Sequence, residues 1–309
     1  VPQPQEIAPL PAEHAPPGLA PRRASRPVPH DWRITSFSEL TRTIDPGPIP
    51  GFTPGRGAVG AVQADDPALR FPGGSEAGSY LHRLLEAVDF RGDVQTQVLA
   101  ESARVASRFG LDHGRCGRDA AVWLERVTRT PLDEAGFCLA QLAPGQRLNE
   151  LAFDFAADRV DIQALDRTLG AGADPPLPHL DAEGFAGFVT GVIDLVFQFD
   201  GRYYLADYKS NFLGPAAEDY APDRLAAAIR AHRYDLQYLL YVLALHRYLR
   251  GRLPGYNYAT HFGGACYLFL RGMRPETGPR LGVHWARPAP ALVDSLDLEI
   301  FRQAPRHEV

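Results

Sequence analysis

Lysine is nearly absent from this chain. Of the 32 lysine and arginine residues among 309 positions, one is a lysine, Lys209, and the other 31 are arginines. Such a bias is typical of an arginine-favouring genome, in which lysine is replaced wherever a generic cation suffices. A retained lysine indicates a need for a compact ammonium that a bulky, permanently charged guanidinium does not meet. We therefore expect Lys209 to take part in chemistry.

Cysteine is also scarce, and its pattern excludes two classes of protein. Cys116, Cys138 and Cys266 are odd in number and far apart, so they make neither a disulfide framework nor a metal-knuckle spacing. We expect buried, inert thiols.

Long apolar runs, a phosphate-binding loop and excess positive charge are missing too. No stretch approaches the ~18 apolar residues of a transmembrane helix, and no signal core follows a basic start, so we expect no membrane association and a cytoplasmic location. The pattern Gly-x-x-x-x-Gly-Lys-Ser/Thr is absent, which excludes an ATP-driven motor in these residues. The net charge of −5 is unusual for a protein that grips nucleic acid unaided, because such affinity comes mostly from neutralised phosphates.

The stretch Gly187–Asn211 predicts a β-hairpin. Two runs rich in Val, Ile, Phe and Tyr flank Asp200-Gly201, a two-residue turn that also fixes the register of the strands. In that register Asp194 faces Asp207 across the hairpin.

Alternation along the strands places Lys209 on the same face as Asp207. The opposite face carries an apolar set: Ile193, Leu195, Phe197, Ala206 and Tyr208. Facing carboxylates repel each other, and a divalent cation bound by hard oxygen ligands would offset the repulsion. Protonation of one acid, or neutralisation by Lys209 alone, remains an alternative.

A second informative stretch is Gly73–Phe90. Ser75 is placed to cap a helix on which Gly78, His82 and Glu86 recur every four residues along one face. On the residues alone, a histidine and a glutamate one turn apart, such as His82 and Glu86, are more often a surface pair than part of a site.

Two further segments carry polar candidates. The alternating pattern of Leu148–Phe155 predicts a strand with Glu150 on its polar face, as a site acid or as an ordinary exposed one. Residues 221–251 predict one long helix or two, with an apolar stripe and a basic side that includes Arg233. That basic side contacts phosphates or is a solvated helix face.

Composition divides the chain. Residues 1–30 are proline-rich without apolar periodicity and predict an extended linker. Residues 31–309 predict the folded domain, with a mostly helical part over 31–147, a core over 148–272, and a C-terminal strand and helix over 273–309.

Several motifs together resemble a known family. Asp194, followed after twelve residues by Asp207-Tyr-Lys209, is similar to the acid and Asp-x-Lys core of the PD-(D/E)XK nuclease superfamily. Further segments narrow the resemblance, from about Trp32 to the C-terminus, to RecB-type nuclease domains: Ala231–Tyr238, His246–Leu249, His261–Gly264 and Tyr267–Gly272.

The resemblance implies a fold and a set of site residues. The fold is α/β, a restriction-endonuclease-like core with a mixed central sheet flanked by helices and an added N-terminal helical region. The implied residues are the catalytic Asp194, Asp207 and Lys209; the metal ligands His82, Asp194, Asp207 and the Tyr208 carbonyl; supporting Glu86 and Glu150; and the DNA contacts Gln237 and Tyr241, to which we add Arg233.

The resemblance also implies cofactor, substrate and partners. The ion is Mg²⁺, with Mn²⁺ as an alternative and Ca²⁺ expected to bind without turnover; no iron-sulfur cluster is expected, because the four cysteines that hold one in some relatives are lacking. The substrate is a DNA strand delivered from an unwound duplex end, during double-strand-break processing with RecC-like and RecD-like subunits. Lys209 orients or deprotonates a water, or stabilises the transition state. The rivals are a non-catalytic nuclease-fold module and a free-standing restriction or repair nuclease.

Overall fold

The computed structural model describes residues 32–45 and 66–302. Its strands are β1 (Trp32–Ser36), β2 (Arg147–Val160), β3 (Phe185–Phe199), β4 (Arg202–Lys209), β5 (Phe262–Phe269) and β6 (Val283–Ala286). Its helices are α1 (Phe37–Leu40), α2 (Pro67–Arg70), α3 (Ser75–Ala87), α4 (Val94–Val105), α5 (Arg118–Arg129), α6 (Ile162–Gly170), α7 (Pro222–Ala231), α8 (Tyr234–Arg252), α9 (Tyr258–His261) and α10 (Pro290–Ser295). The predicted proline-rich segment 1–30 lies outside the described residues.

The six strands form one mixed sheet that divides along β3. β1 pairs in parallel with residues 186–190 of β3, and β4 pairs antiparallel with residues 195–199. Both lie on the same edge of β3, because β2 pairs along the other edge over residues 185–197. Residues 191–194 of β3 therefore lie between the ends of β1 and β4. We call this opening the fork.

Helices cover much of the sheet. On one face, α3, α4 and α5 pack against a cluster that includes Leu195, Phe197 and Tyr208. On the other, α7 and α8 pack against side chains that include Ile193, Leu205 and Phe269. The mixed sheet, its flanking helices and the N-terminal helical region agree with the predicted fold. Within the described ranges no helix is long and apolar enough to cross a membrane.

The hairpin register is confirmed up to the fork and departs from the prediction there. Leu195 pairs with Ala206, as the turn predicts, but this is the last β3–β4 pair. Residues 207–209 of β4 leave β3 and continue in parallel with residues 267–269 of β5. Asp194 and Asp207 are therefore not a ladder pair, because the two strands diverge between them.

Strict alternation also fails at this point. Ile193 was expected on the same face as Leu195, but it packs in the α8 cluster while Leu195 packs against the N-terminal helices. On the neighbouring strand, Glu150 has a φ of 50°. The two strands switch faces together, and the two acids occupy the position of the switch.

Three helix boundaries have distinct local structures. Ser36 caps α1, accepting a hydrogen bond from the amide of Glu39. Helix α3 begins at Ser75, but its capping position is Gly74, with a φ of 101°. The long C-terminal helical stretch is two helices, because Arg233 adopts the left-handed conformation between α7 and α8. The sequence predicts an apolar stripe on one side of this stretch, but the buried surface of α8 is wider than a stripe, because every residue from 239 to 246 is buried.

Candidate active site

The fork brings Asp194 against the backbone of β4. Asp194 Oδ2 accepts a hydrogen bond of 2.7 Å from the amide of Tyr208. This side-chain bond replaces the ladder bond that the diverging strands no longer make. Asp194 is 9% exposed, and its other oxygen, Oδ1, lies 3.5 Å from Nδ1 of His82.

His82 approaches the same peptide segment from α3. Its Nε2 lies 2.9 Å from the carbonyl oxygen of Tyr208, and its ring is perpendicular to the Tyr208 ring. Burial alone would lower the pKa of His82, but the hydrogen bond and charge of Asp194, with a smaller contribution from Asp207, raise it to about 9. The imidazole thus sits between the predicted carbonyl ligand and the first acid.

Glu150 completes a compact group. One ligand atom from each of His82, Glu150 and Asp194 lies within 4.8 Å of the others. The left-handed backbone of Glu150, uncommon for a residue other than glycine, lies where β2 and β3 switch faces. Lost hydration and the nearby Asp194 charge raise the pKa of Glu150.

Asp207 and Lys209 form the deeper half of the site. Asp207 is 2% exposed, and its Oδ2 lies 2.6 Å from Nζ of Lys209. Burial raises the pKa of Asp207 to about 6, against the lowering effect of Lys209 and with a further increase from Asp194. Asp207 is not part of the compact group of His82, Glu150 and Asp194.

The Lys209 ammonium is enclosed by acceptors and rings. Nζ donates to Gln237 Oε1 at 2.8 Å, and it lies 4.0 Å from the centre of the Tyr234 ring and 5.1 Å from that of Tyr267. Burial alone would lower the pKa of Lys209, but the charge of Asp207 raises it. We call Gln237, Tyr234 and Tyr267 the lysine enclosure.

Gln237 and Tyr241 lie beside the site and are bonded within the protein. Gln237 Oε1 also accepts from the hydroxyl of Tyr267 at 3.0 Å, and Nε2 donates to the Tyr241 hydroxyl at 3.0 Å. Sequence reasoning did not single out Tyr234 or Tyr267. The feature that marks Tyr267 is its position in the core strand β5, where it pairs with Asp207 of β4.

Two predicted residues do not take the roles expected of them. Arg233 is 0% exposed, and its guanidinium bonds to Asp166, Asp235 and the carbonyl of Pro178, so it does not reach DNA. Glu86 accepts a 2.7 Å hydrogen bond from Arg83 and does not orient His82, because both His82 nitrogens already face groups on the hairpin.

The chemistry of this group fits a hard divalent cation. It offers carboxylate oxygens, one backbone carbonyl and one imidazole, with no thiolate among them. Oxygen-rich sets of this kind suit hard divalent cations. The ligating imidazole nitrogen must be unprotonated to bind an ion.

A forked mixed sheet with an acid at the fork, followed by Asp-x-Lys on the adjoining strand, defines a class of nucleases. The sequence profile of the PD-(D/E)XK nuclease superfamily matches residues 61–308, and the chain belongs to this superfamily. Its members cleave nucleic acids with divalent metal ions.

The chain is also similar in sequence to individual proteins within this superfamily. The chain is 38% identical to the RecBCD enzyme subunit RecB of Escherichia coli (strain K12) over 285 residues, which cover 88% of this chain and 23% of that protein. It is 36% identical to the same subunit of Haemophilus influenzae, covering 87% and 24%, and 33% identical to that of Mycobacterium tuberculosis (strain H37Rv), covering 91% and 30%. The chain thus spans about a quarter of the length of these relatives.

Proposed function

We propose that this chain is the metal-dependent DNA nuclease module of a RecB-like helicase-nuclease subunit. The observation that carries the proposal is the fork, where Asp194 accepts from the amide of Tyr208, His82 lies against the carbonyl of Tyr208, and the adjoining residues of β4 carry the Asp207–Lys209 pair. The similarity to RecB subunits supports DNA as the substrate and processing of double-strand breaks as the setting.

The proposed ligands of the ion are His82, Asp194, Asp207 and the Tyr208 carbonyl, and the geometry adds Glu150 to them. These residues would hold the ion, which would supply a lowered pKa for a water and compensation for charge on the phosphate. The amide of Tyr208 holds the Asp194 carboxylate in place, which limits the reorganisation needed during reaction.

We assign Lys209 to the reacting phosphate or water as a fixed ammonium. Its three neighbours in the lysine enclosure and Asp207 define its position, and Asp207 compensates its charge. In this arrangement Gln237 and Tyr241 act on Lys209 from within the protein. We further propose that the sugar-phosphate backbone of the DNA contacts the solvent-exposed surface on the same side of α8.

The substrate we propose is a single strand delivered from an unwound duplex end. The negative net charge supports delivery by a larger assembly, because the chain carries no excess of cations with which to capture DNA alone. RecC-like and RecD-like subunits are the partners we propose for the full-length protein.

Cleavage of linear single-stranded DNA tests the function. We expect cutting with Mg²⁺ and with Mn²⁺, none with EDTA, and binding of Ca²⁺ without turnover. Asp194→Asn should lower the cleavage rate by at least about 100-fold, since a lost ligand costs more than the 10- to 100-fold typical of its supporting residues. The matched control is Asp200→Asn, which makes the same change at the exposed far end of the hairpin.

Two outcomes would overturn the proposal. If the chain binds metal but cuts neither alone nor in its full-length protein with partner subunits, it is a non-catalytic nuclease-fold module. If it cuts as a tight, salt-resistant DNA binder, it is a free-standing nuclease instead of a delivered one. Equal activity of the Asp194→Asn and Asp200→Asn proteins would place the chemistry elsewhere.

A further inference from the structure

Exposed apolar side chains occur on both faces of the sheet near β2. Seven large hydrophobic residues are exposed in the described ranges, and five of them lie on β1, β2, β3 or the adjoining surface of α8. These five are Trp32, Ile34, Leu148, Val192 and Tyr248. Of the five, Tyr248 lines the surface between β2 and α8.

The free edge of β2 runs through this region. The carbonyl oxygen of Ala156 accepts a hydrogen bond from Arg247, so it points away from β3. Because backbone groups alternate along a strand, the N–H and C=O groups of Ala152 and Asp154 point the same way. Within the part of the chain that the structure describes, these groups pair with no other residue.

A groove accompanies this edge. A cavity of about 500 Å³ lies between β2 and α8, and its apolar lining includes Leu151, Phe153, Ala244 and Leu245. Arg247 closes one end, where it also bonds to Asp297 and to the carbonyl of Phe301. This volume is within the range of pockets that bind ligands in proteins.

Charge decides which class of macromolecule fits. Asp154 is exposed on the free edge and makes no ion pair among the described residues, whereas Asp158 is paired with Arg302 and Glu150 belongs to the compact group of the active site. The Asp154 carboxylate repels a phosphate backbone and favours a basic side chain on a polypeptide segment. Unpaired backbone donors and acceptors at strand spacing are the groups that an added β-strand binds.

We propose that the β2 edge is a docking site for an extended segment of a partner protein. The segment adds a strand beside Ala152 and Asp154, places apolar side chains in the groove at alternate positions, and sets a basic side chain against Asp154. The site is separate from the nuclease chemistry, and the proposal does not depend on it. The occupant is a polypeptide, and nucleic acid or a second copy of this chain are outcomes that the test distinguishes.

Hydrogen exchange of the 309-residue chain with a synthetic peptide tests the proposal. The probe is a seven-residue peptide of alternating lysine and leucine, capped at both ends. In the free chain we expect fast exchange at the amides of Ala152 and Asp154, and slow exchange at those of Leu151 and Phe153, which face β3. The peptide should slow exchange at Ala152 and Asp154 selectively.

Variants separate backbone pairing from general stickiness. Ala152→Pro removes an outward N–H and is tolerated on an edge strand, so the fold should persist while peptide affinity falls about tenfold or more. Ala152→Val keeps the N–H and should bind like the wild type. Asp154→Lys should weaken binding about fivefold through charge alone. A peptide N-methylated on its pairing amides should fail to bind the unmodified chain, which keeps the test decisive if the proline variant does not fold.

Several results would overturn the proposal. Equal peptide affinity of the Ala152→Pro and Ala152→Val proteins would show that the edge is not paired. Protection confined to other amides would place the peptide elsewhere. Protection of Ala152 and Asp154 by a single-stranded oligonucleotide, but not by the peptide, would assign the groove to nucleic acid. Self-association in sedimentation that Ala152→Pro abolishes, without peptide binding, would assign it to a second copy.

Discussion

Replacing Lys209 by arginine tests whether the site needs an ammonium or only a positive charge. The Lys209 side chain is 11% exposed, and Nζ has acceptors at 2.6 Å on Asp207 and at 2.8 Å on Gln237, with the Tyr234 ring beneath it. A guanidinium is wider than this enclosure, and its planar fork does not reproduce these contacts. The substitution keeps the charge and moves it.

The size of the effect follows from the assigned role. Removing or displacing one fixed donor at the reacting group costs about 100- to 1,000-fold in rate, or about 2.7–4 kcal/mol of transition-state stabilisation. We expect this loss in kcat for Lys209→Arg, and at least as much for Lys209→Met. Metal affinity should change little, because Lys209 is not a proposed ligand.

The assay is single-turnover cleavage of labelled single-stranded DNA at saturating Mg²⁺, with Mn²⁺ binding measured by calorimetry. Arg252→Lys at an exposed position makes the reciprocal exchange and is the control. If Lys209→Arg cleaves at the wild-type rate, any cation serves, and the inference from the single lysine fails. If metal binding is lost together with cleavage, Lys209 supports the ligands instead of acting on the phosphate.

Three further substitutions test the fold. Arg233→Met removes a fully buried cation from two aspartates and should cost about 3–5 kcal/mol in chemical denaturation, against less than about 0.5 kcal/mol for Arg252→Met. Gly263→Ala places a methyl group 2.0 Å from a tyrosine ring and should lower the free energy of unfolding by about 1–3 kcal/mol. The control Gly251→Ala meets open space and should be neutral or stabilising. Calorimetry checks both proteins. Burial would raise the pKa of Asp297, but two arginines lower it below its usual value. Its stabilisation is therefore complete above about pH 4 and is lost as the pH falls through the lowered pKa, so the melting temperatures of wild type and Asp297→Asn should converge only in acid.

The hairpin shows how far the sequence predicts the site. The Asp200-Gly201 turn sets the register, and the pairing of Leu195 with Ala206 follows from it. One residue further, side-chain alternation no longer predicts the faces, because β4 separates from β3 and stays paired with β5. That pairing depends on a strand more than fifty residues away along the chain, so no local pattern in Asp194–Asp207 reveals it.

Arg233 and Glu150 show a second limit. A helical pattern distinguishes polar from apolar positions, but it does not distinguish a solvated arginine from one buried against aspartates. Arg233 also breaks the helix it was assigned to, through a left-handed backbone that its residue type does not indicate. Glu150 has the same conformation, and its place next to His82 comes from the paired switch of two strands.

The fork also sets the order in which the site can assemble. The β3–β4 hairpin joins residues close in sequence, whereas β1 pairs with β3 across more than 150 residues, and His82 is 126 residues from the Tyr208 carbonyl. Local contacts form quickly and distant ones late, because loop closure costs entropy before the contacts repay it. The lysine enclosure further requires α8 and β5, which follow the hairpin in the chain. A chain still emerging from the ribosome therefore carries both aspartates and the lysine before their site has formed, and the proposed cleavage requires a nearly complete domain.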